Sequence, residues 1–150
     1  MSETSETFPA KEIQEKLSEF EMRVPVWGIT VFTVDGYIIA HRLFYDGMPE
    51  NVEMAVSAMS AGLITISEDF IKLVDSTNLF RQVLVDSEDA EGQEAFSIIL
   101  KHVAENVLLT CIFPHSVQLG LVSFEIENLS RDIVEIVNRW EVKLHQDTMT

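Results

Sequence analysis

The chain has 150 residues, 47% of them apolar, a single cysteine and a formal net charge of −15. That length suits one hydrophobic core, and that apolar content excludes a disordered chain. The charge argues against partners that present phosphates, whether nucleic acid or an anionic membrane surface, and the lone Cys111 excludes an intrachain disulfide.

The first residues, MSETSETF, are polar and acidic, unlike a signal peptide, so 1–8 reads as a tail. No uninterrupted run reaches the roughly 20 apolar residues of a membrane span, so a cytoplasmic protein without membrane insertion is expected. In FPAKEIQEKLSEFEMR, Pro9 suits a first helical turn, and Ile13, Leu17 and Phe20 recur at helical spacing. Pro25 stops that helix. VWGITVFTVDGYIIAHRLF then predicts two strands, over 26–34 and 37–44, around Asp35-Gly36. That pair fits a type I′ turn, which needs positive φ at both positions. Trp27, Ile29 and Val31 fall on one face of the first strand, and Val26, Phe32 and Val34 on the other. A strand apolar on both sides is central and covered on both.

YDGMPE reads as a loop, and Pro49 opens a helix over 49–74 that DSTN breaks. LFRQVLVDS is a strand and EDAEGQE an acidic loop; AFSIILKHVAENVLLTCIF is a second hairpin turning near HVAEN. Pro114 closes it, and Ser116 is the expected N-cap of the last helix. That helix aligns Val122, Ile126, Leu129, Ile133, Ile136, Val137 and Trp140 on one stripe. A single domain over 9–145 with a tail at 146–150 follows. The order α-β-β-α-β-β-β-α is most economically an α/β (α+β) fold: a five-stranded antiparallel sheet with helices on both faces.

The middle helix carries AVSAMSAGLITIS, unusually rich in small residues. On a wheel of about 100° per residue, Val52, Ala55, Val56, Met59, Leu63, Ile66, Phe70 and Leu73 form one stripe. Its size predicts that it covers the sheet. Met54, Ala58, Ala61 and Thr65 lie opposite, flanked by Ser57 and Ile64. Small residues permit close helix approach, so this side is expected to meet the same helix of a second copy. The alternative is that Ala and Ser merely fill a solvent-facing side. The strand LFRQVLV, with Leu79, Arg81 and Val83 alternating against Phe80, Gln82 and Leu84, carries no proline and one charge. As an edge it is poorly defended, and pairing with its symmetry mate would remove the exposed edge.

Catalytic signatures are lacking. DSEDAEGQE does not follow the order of an EF-hand loop. His41, His102, His115 and His145 have no partner at metal-ligand spacing, and neither GxxxxGK nor GxSxG occurs. Cys111, on an apolar strand, is a small hydrophobe. The expectation is a protein that is not an enzyme and holds no cofactor or metal.

GITVFTVDGYIIA, the Ala-rich helix, QVLVDSED, a strand pair ending LLTCIFP, and QLGLVSFEIENLSRDI together cover most of the chain. In that order and at those lengths they resemble the roadblock family, small α/β proteins first known as dynein light chains. The resemblance implies a profilin-like sheet and homo- or heterodimers with middle helices side by side and third strands joined. It also implies a platform for small Ras-like GTPases. On this sequence the dimer role falls to Met54, Ala58, Ala61, Thr65, Leu79, Arg81 and Val83. A docked GTPase would meet Glu53, Ser57, Ser60, Ile64, Glu68 and Ile71. Two other readings stay open: an adaptor subunit paired with a paralogous roadblock chain in a scaffold or motor complex, and a small-ligand sensor.

Overall fold

The computed structural model describes residues 9–43 and 51–149, with side chains for 9–42 and 51–141. The expected N-terminal tail, residue 150, and the loop with Pro49 lie outside the described residues. The elements are α1 (Ala10–Arg23), β1 (Gly28–Thr33), β2 (Ile38–Leu43), α2 (Val52–Val74), β3 (Gln82–Asp86), β4 (Phe96–Ala104), β5 (Val107–Pro114) and α3 (Leu119–Met149). The expected order is the observed one. The strands form one five-stranded sheet in the order β2-β1-β5-β4-β3, antiparallel at every pairing.

Both faces of the sheet are covered, because its central strands are apolar on both sides. β5 is buried at every position. Toward α1 and α3, its Leu109, Cys111 and Phe113 join Ile29 and Val31 of β1, Ile99 of β4, and the helix residues Ile13, Leu17 and Phe20. The α3 stripe completes this cluster, with Val122, Ile126, Leu129, Ile133 and Ile136 buried and Val137 and Trp140 packed beside them. Burial pushes the Cys111 thiol well above its ordinary range, which leaves it inert as a nucleophile. Toward α2 lies a smaller cluster of Phe32, Leu100 and Leu108 with Ala61 and Ile64 of the helix.

Three local expectations are corrected. In the β1–β2 turn only Gly36 has positive φ (90°); Asp35 does not. The Gly36 N–H donates to the Thr33 carbonyl (2.8 Å), and the Thr33 N–H to that of Tyr37 (2.8 Å). This is a tight turn followed by a left-handed glycine, the longer hairpin solution, not type I′. The type I′ pattern occurs instead in the acidic loop, where Glu91 (φ 54°) and Gly92 (φ 78°) sit between the bridged Ala90 and Gln93. α3 begins at Leu119, and the Gln118 carbonyl accepts from the N–H groups of Leu121 and Val122. Ser116 is therefore too early to cap it. At its far end α3 continues to Met149, through positions that read as a tail.

One property of α2 bears on membranes. α2 is, by length and composition, apolar enough to cross a bilayer. Its Ser and Gly residues interrupt every apolar run without lowering the average enough to hide it. Here it lies along the sheet, with most of its surface uncovered.

Candidate functional site

α2 packs on the sheet through the flank that carries Ser57, Ser60 and Ile64, with Ala61 beside it, rotated by roughly a third of a turn from the expected orientation. Ser57, Ser60, Ala61 and Ile64 are its buried residues; Ala61 is 8% and Ile64 1% exposed. The supposed core stripe points out: Met59 is 74%, Ile66 64%, Phe70 66% and Leu73 85% exposed. The reason lies in the strands beneath. Phe32, Leu100 and Leu108 already fill the layer on that face, so the helix meets them with small side chains and settles close. The two buried serines of α2 are hydrogen-bonded. Ser57 Oγ donates to the Glu53 carbonyl (2.8 Å), and Thr110 Oγ1 of β5 donates to Ser60 Oγ (2.8 Å).

This rotation redistributes the expected site residues. Ala61, assigned to a partner, faces its own sheet. So do Ser57, Ser60 and Ile64, assigned to a GTPase, and none of these four offers a partner its side chain. Glu53, Glu68 and Ile71 are half-buried, and Glu68 pairs with His102 of β4 (3.4 Å). Met54, Ala58 and Thr65 are exposed; the Ala58 Cα lies beside the β1–β2 turn, 3.9 Å from the place of a Cβ on Gly36, and Ala58 also borders the groove described next. Leu79 and Arg81 are exposed ahead of β3, while Val83 packs against the smaller cluster.

Along its other flank α2 walls an apolar groove of about 510 Å³. Val56, Met59, Leu63 and Ile66 form the wall, and Val85, Ile98, Leu100 and Ile112 the floor. The floor thus reaches β3, which is an edge of the sheet. Leu84 and Val85 of that strand are partly exposed. Outward stripe, groove and edge strand form one continuous apolar surface. Sequence reasoning found the edge but missed Met59, Leu63, Ile66 and Phe70. The deciding feature, the bulk of Phe32, Leu100 and Leu108 on the opposing strands, emerges only with the strand order.

The other sheet edge is closed. On α1, Gln14 Nε2 donates to the His41 carbonyl of β2 (3.0 Å), and the His41 N–H donates to Gln14 Oε1 (3.2 Å). Glu21 of α1 also pairs with Arg42 (2.7 Å).

A polar cluster sits at the end of β3. His115 Nε2 lies 3.1 Å from Asp86 Oδ1 and 3.0 Å from Ser97 Oγ, and Ser97 Oγ donates to Asp86. A nucleophile–base relay needs the carboxylate on the other ring nitrogen. Here one nitrogen meets both groups, so the cluster ties the end of β3 to β4 and to the turn that follows β5. Among the described residues no group of three or more His, Cys, Asp or Glu side chains could hold a metal ion.

The hydrogen bonds from Ser97 and His115 hold the Asp86 carboxyl below its ordinary range, and the bond from Lys101 does the same for Glu127. A carboxyl depressed in the folded state contributes stability above its unfolded value, and loses it as pH falls through the folded one. Thermal stability should therefore decline as pH drops below about 4. The decline should be shallower in a double variant, Asp86→Asn with Glu127→Gln; parallel melting-temperature profiles for variant and parent would refute this.

The fold has close counterparts among solved structures. MglB of Myxococcus xanthus superposes with a TM-score of 0.73 at 18% identity, over 87% of this chain and 91% of that one. The gliding protein MglB of Thermus thermophilus gives 0.71 at 17% identity, over 87% and 92%. A Roadblock/LC7 domain from Streptomyces avermitilis gives 0.70 at 14%, over 83% and 96%.

The chain has the roadblock fold. No family model matches the sequence, and no curated protein matches it significantly. The likeness is thus carried by architecture: a roadblock sheet, with its middle helix on one face and its terminal helices on the other.

Proposed function

We propose that the protein is a non-enzymatic roadblock-type homodimer that binds a small Ras-like GTPase and regulates or anchors it. The observation that carries this reading is the continuous apolar surface formed by the outward stripe of α2, the groove beside it and the edge strand β3. Exposed apolar patches of this kind mark interaction sites, and an open strand edge is a template for another strand. A two-fold axis at β3 would join two sheets and bring each α2 toward the other's groove. This replaces the small-residue helix contact expected from sequence, since Ala61 is occupied within its own chain.

The GTPase comes from the roadblock resemblance. A dimer with no catalytic group of its own can still change hydrolysis by holding the switch segments of a bound GTPase in one arrangement. The test has two readings. Light scattering on the purified chain should give twice the mass of one chain. Small GTPases encoded beside its gene should bind it and change their rate of GTP hydrolysis or nucleotide release. A monomer at all concentrations would remove the homodimer, leaving a paralogous partner to be sought. No binding by any of those GTPases would remove the regulatory role.

A further inference from the structure

The two edges of the sheet differ, and one side chain makes much of the difference. Through its amide, Gln14 gives the His41 backbone the pair of bonds that a residue on a neighbouring antiparallel strand would give it. His41 stands opposite Thr30 near the middle of β2, and both its N–H and its carbonyl are engaged in this contact, directed away from β1. The Arg42–Glu21 ion pair holds α1 against the same strand. β3 has no counterpart of Gln14 among the described residues. β2, with the sequence IIAHRL, has no proline and a single fully ionised side chain, so its composition does little to defend it.

We propose that Gln14 is an edge closure that limits assembly. By occupying the outward groups of His41 it keeps β2 from pairing with β2 of another copy, so copies join at β3 alone. Without it β2 becomes a second joining edge, and sheets joined at both edges extend without closing. The proposal goes beyond the dimer reading and rests on it only for the starting species.

Gln14→Ala tests this in the full chain. Alanine is the best helix former, and the buried Ile13, Leu17 and Phe20 of α1 stay in place, so the fold is retained. Amide exchange at His41 should quicken by about tenfold. Mass by light scattering should rise with concentration to at least about twice that of the parent. Adding His41→Pro, which removes the outward N–H and is tolerated on an edge strand, should return the mass to the parent value. Unchanged exchange at His41, or a mass that tracks the parent at every concentration, overturns the proposal. A monomeric parent would count against the dimer reading only. Gln14→Ala should then form pairs, because the criterion is mass relative to the parent.

Discussion

Ala61→Glu should strongly destabilise the domain, whereas Ile66→Glu, further along the same helix, should leave its stability nearly unchanged. Ala61 sits among Phe32, Leu100 and Leu108 in an apolar cluster. An uncompensated charge in such a site costs on the order of 3–5 kcal/mol, a large part of the roughly 5–15 kcal/mol that holds a typical domain together. For a chain of this length the loss corresponds to a melting temperature lower by on the order of 10 °C. Ile66 is mostly exposed, and a surface exchange there should stay within about 0.5 kcal/mol. Its effect should appear in self-association, because the carboxylate would stand on the apolar face that a second copy would cover. Circular dichroism melts and light scattering on both variants separate the cases. A monomeric Ala61→Glu of parent stability beside a strongly destabilised Ile66→Glu would turn the helix back to the orientation its side-chain sizes first implied.

That first orientation failed for an instructive reason. A helical wheel ranks faces by the size and polarity of the helix's own residues, but packing depends on what the opposing surface already supplies. For α3 the two criteria agree: its only apolar stripe is also its buried one, and Val122, Ile126, Leu129, Ile133 and Ile136 were legible from spacing alone. For α2 they conflict, since both faces lack charge over several turns. The choice was made by Phe32, Leu100 and Leu108, which are distant in sequence and become neighbours only through the β2-β1-β5-β4-β3 order. The hairpins were legible because strand composition and turn residues are local signals. The type of turn was not, because Asp35-Gly36 carries the preferred pair yet adopts positive φ only at glycine, whereas Glu91-Gly92, whose glutamate the preference does not include, adopts it at both positions. The Gln14–His41 pair was invisible for the α2 reason: a glutamine on a helix says nothing of the strand edge it will meet.

Leu84→Pro should weaken self-association about a hundredfold while leaving the domain folded. In the β3–β4 ladder the Ser87 N–H donates to the Phe96 carbonyl (3.1 Å), and alternation along an antiparallel strand then turns the Leu84 N–H outward, away from β4. Proline at that position deletes a group that no internal pairing uses, and edge strands tolerate it. Leu84 is 43% exposed, so the packing lost within the chain is modest. Across a two-fold joint the change counts twice, once in each copy, and leaves an acceptor unpaired each time. The cost is about 3 kcal/mol, or roughly a hundredfold in the dissociation constant. Leu84→Ala, which keeps the N–H and trims the side chain, should remain associated; the contrast assigns the effect to the backbone. The side chain of Leu84 lies on the α3 side of the sheet, near Phe113 and Leu119, so neither variant touches α2. A Leu84→Pro chain as fully dimeric as the parent would therefore place the contact on the helix stripe alone, with β3 left outside it.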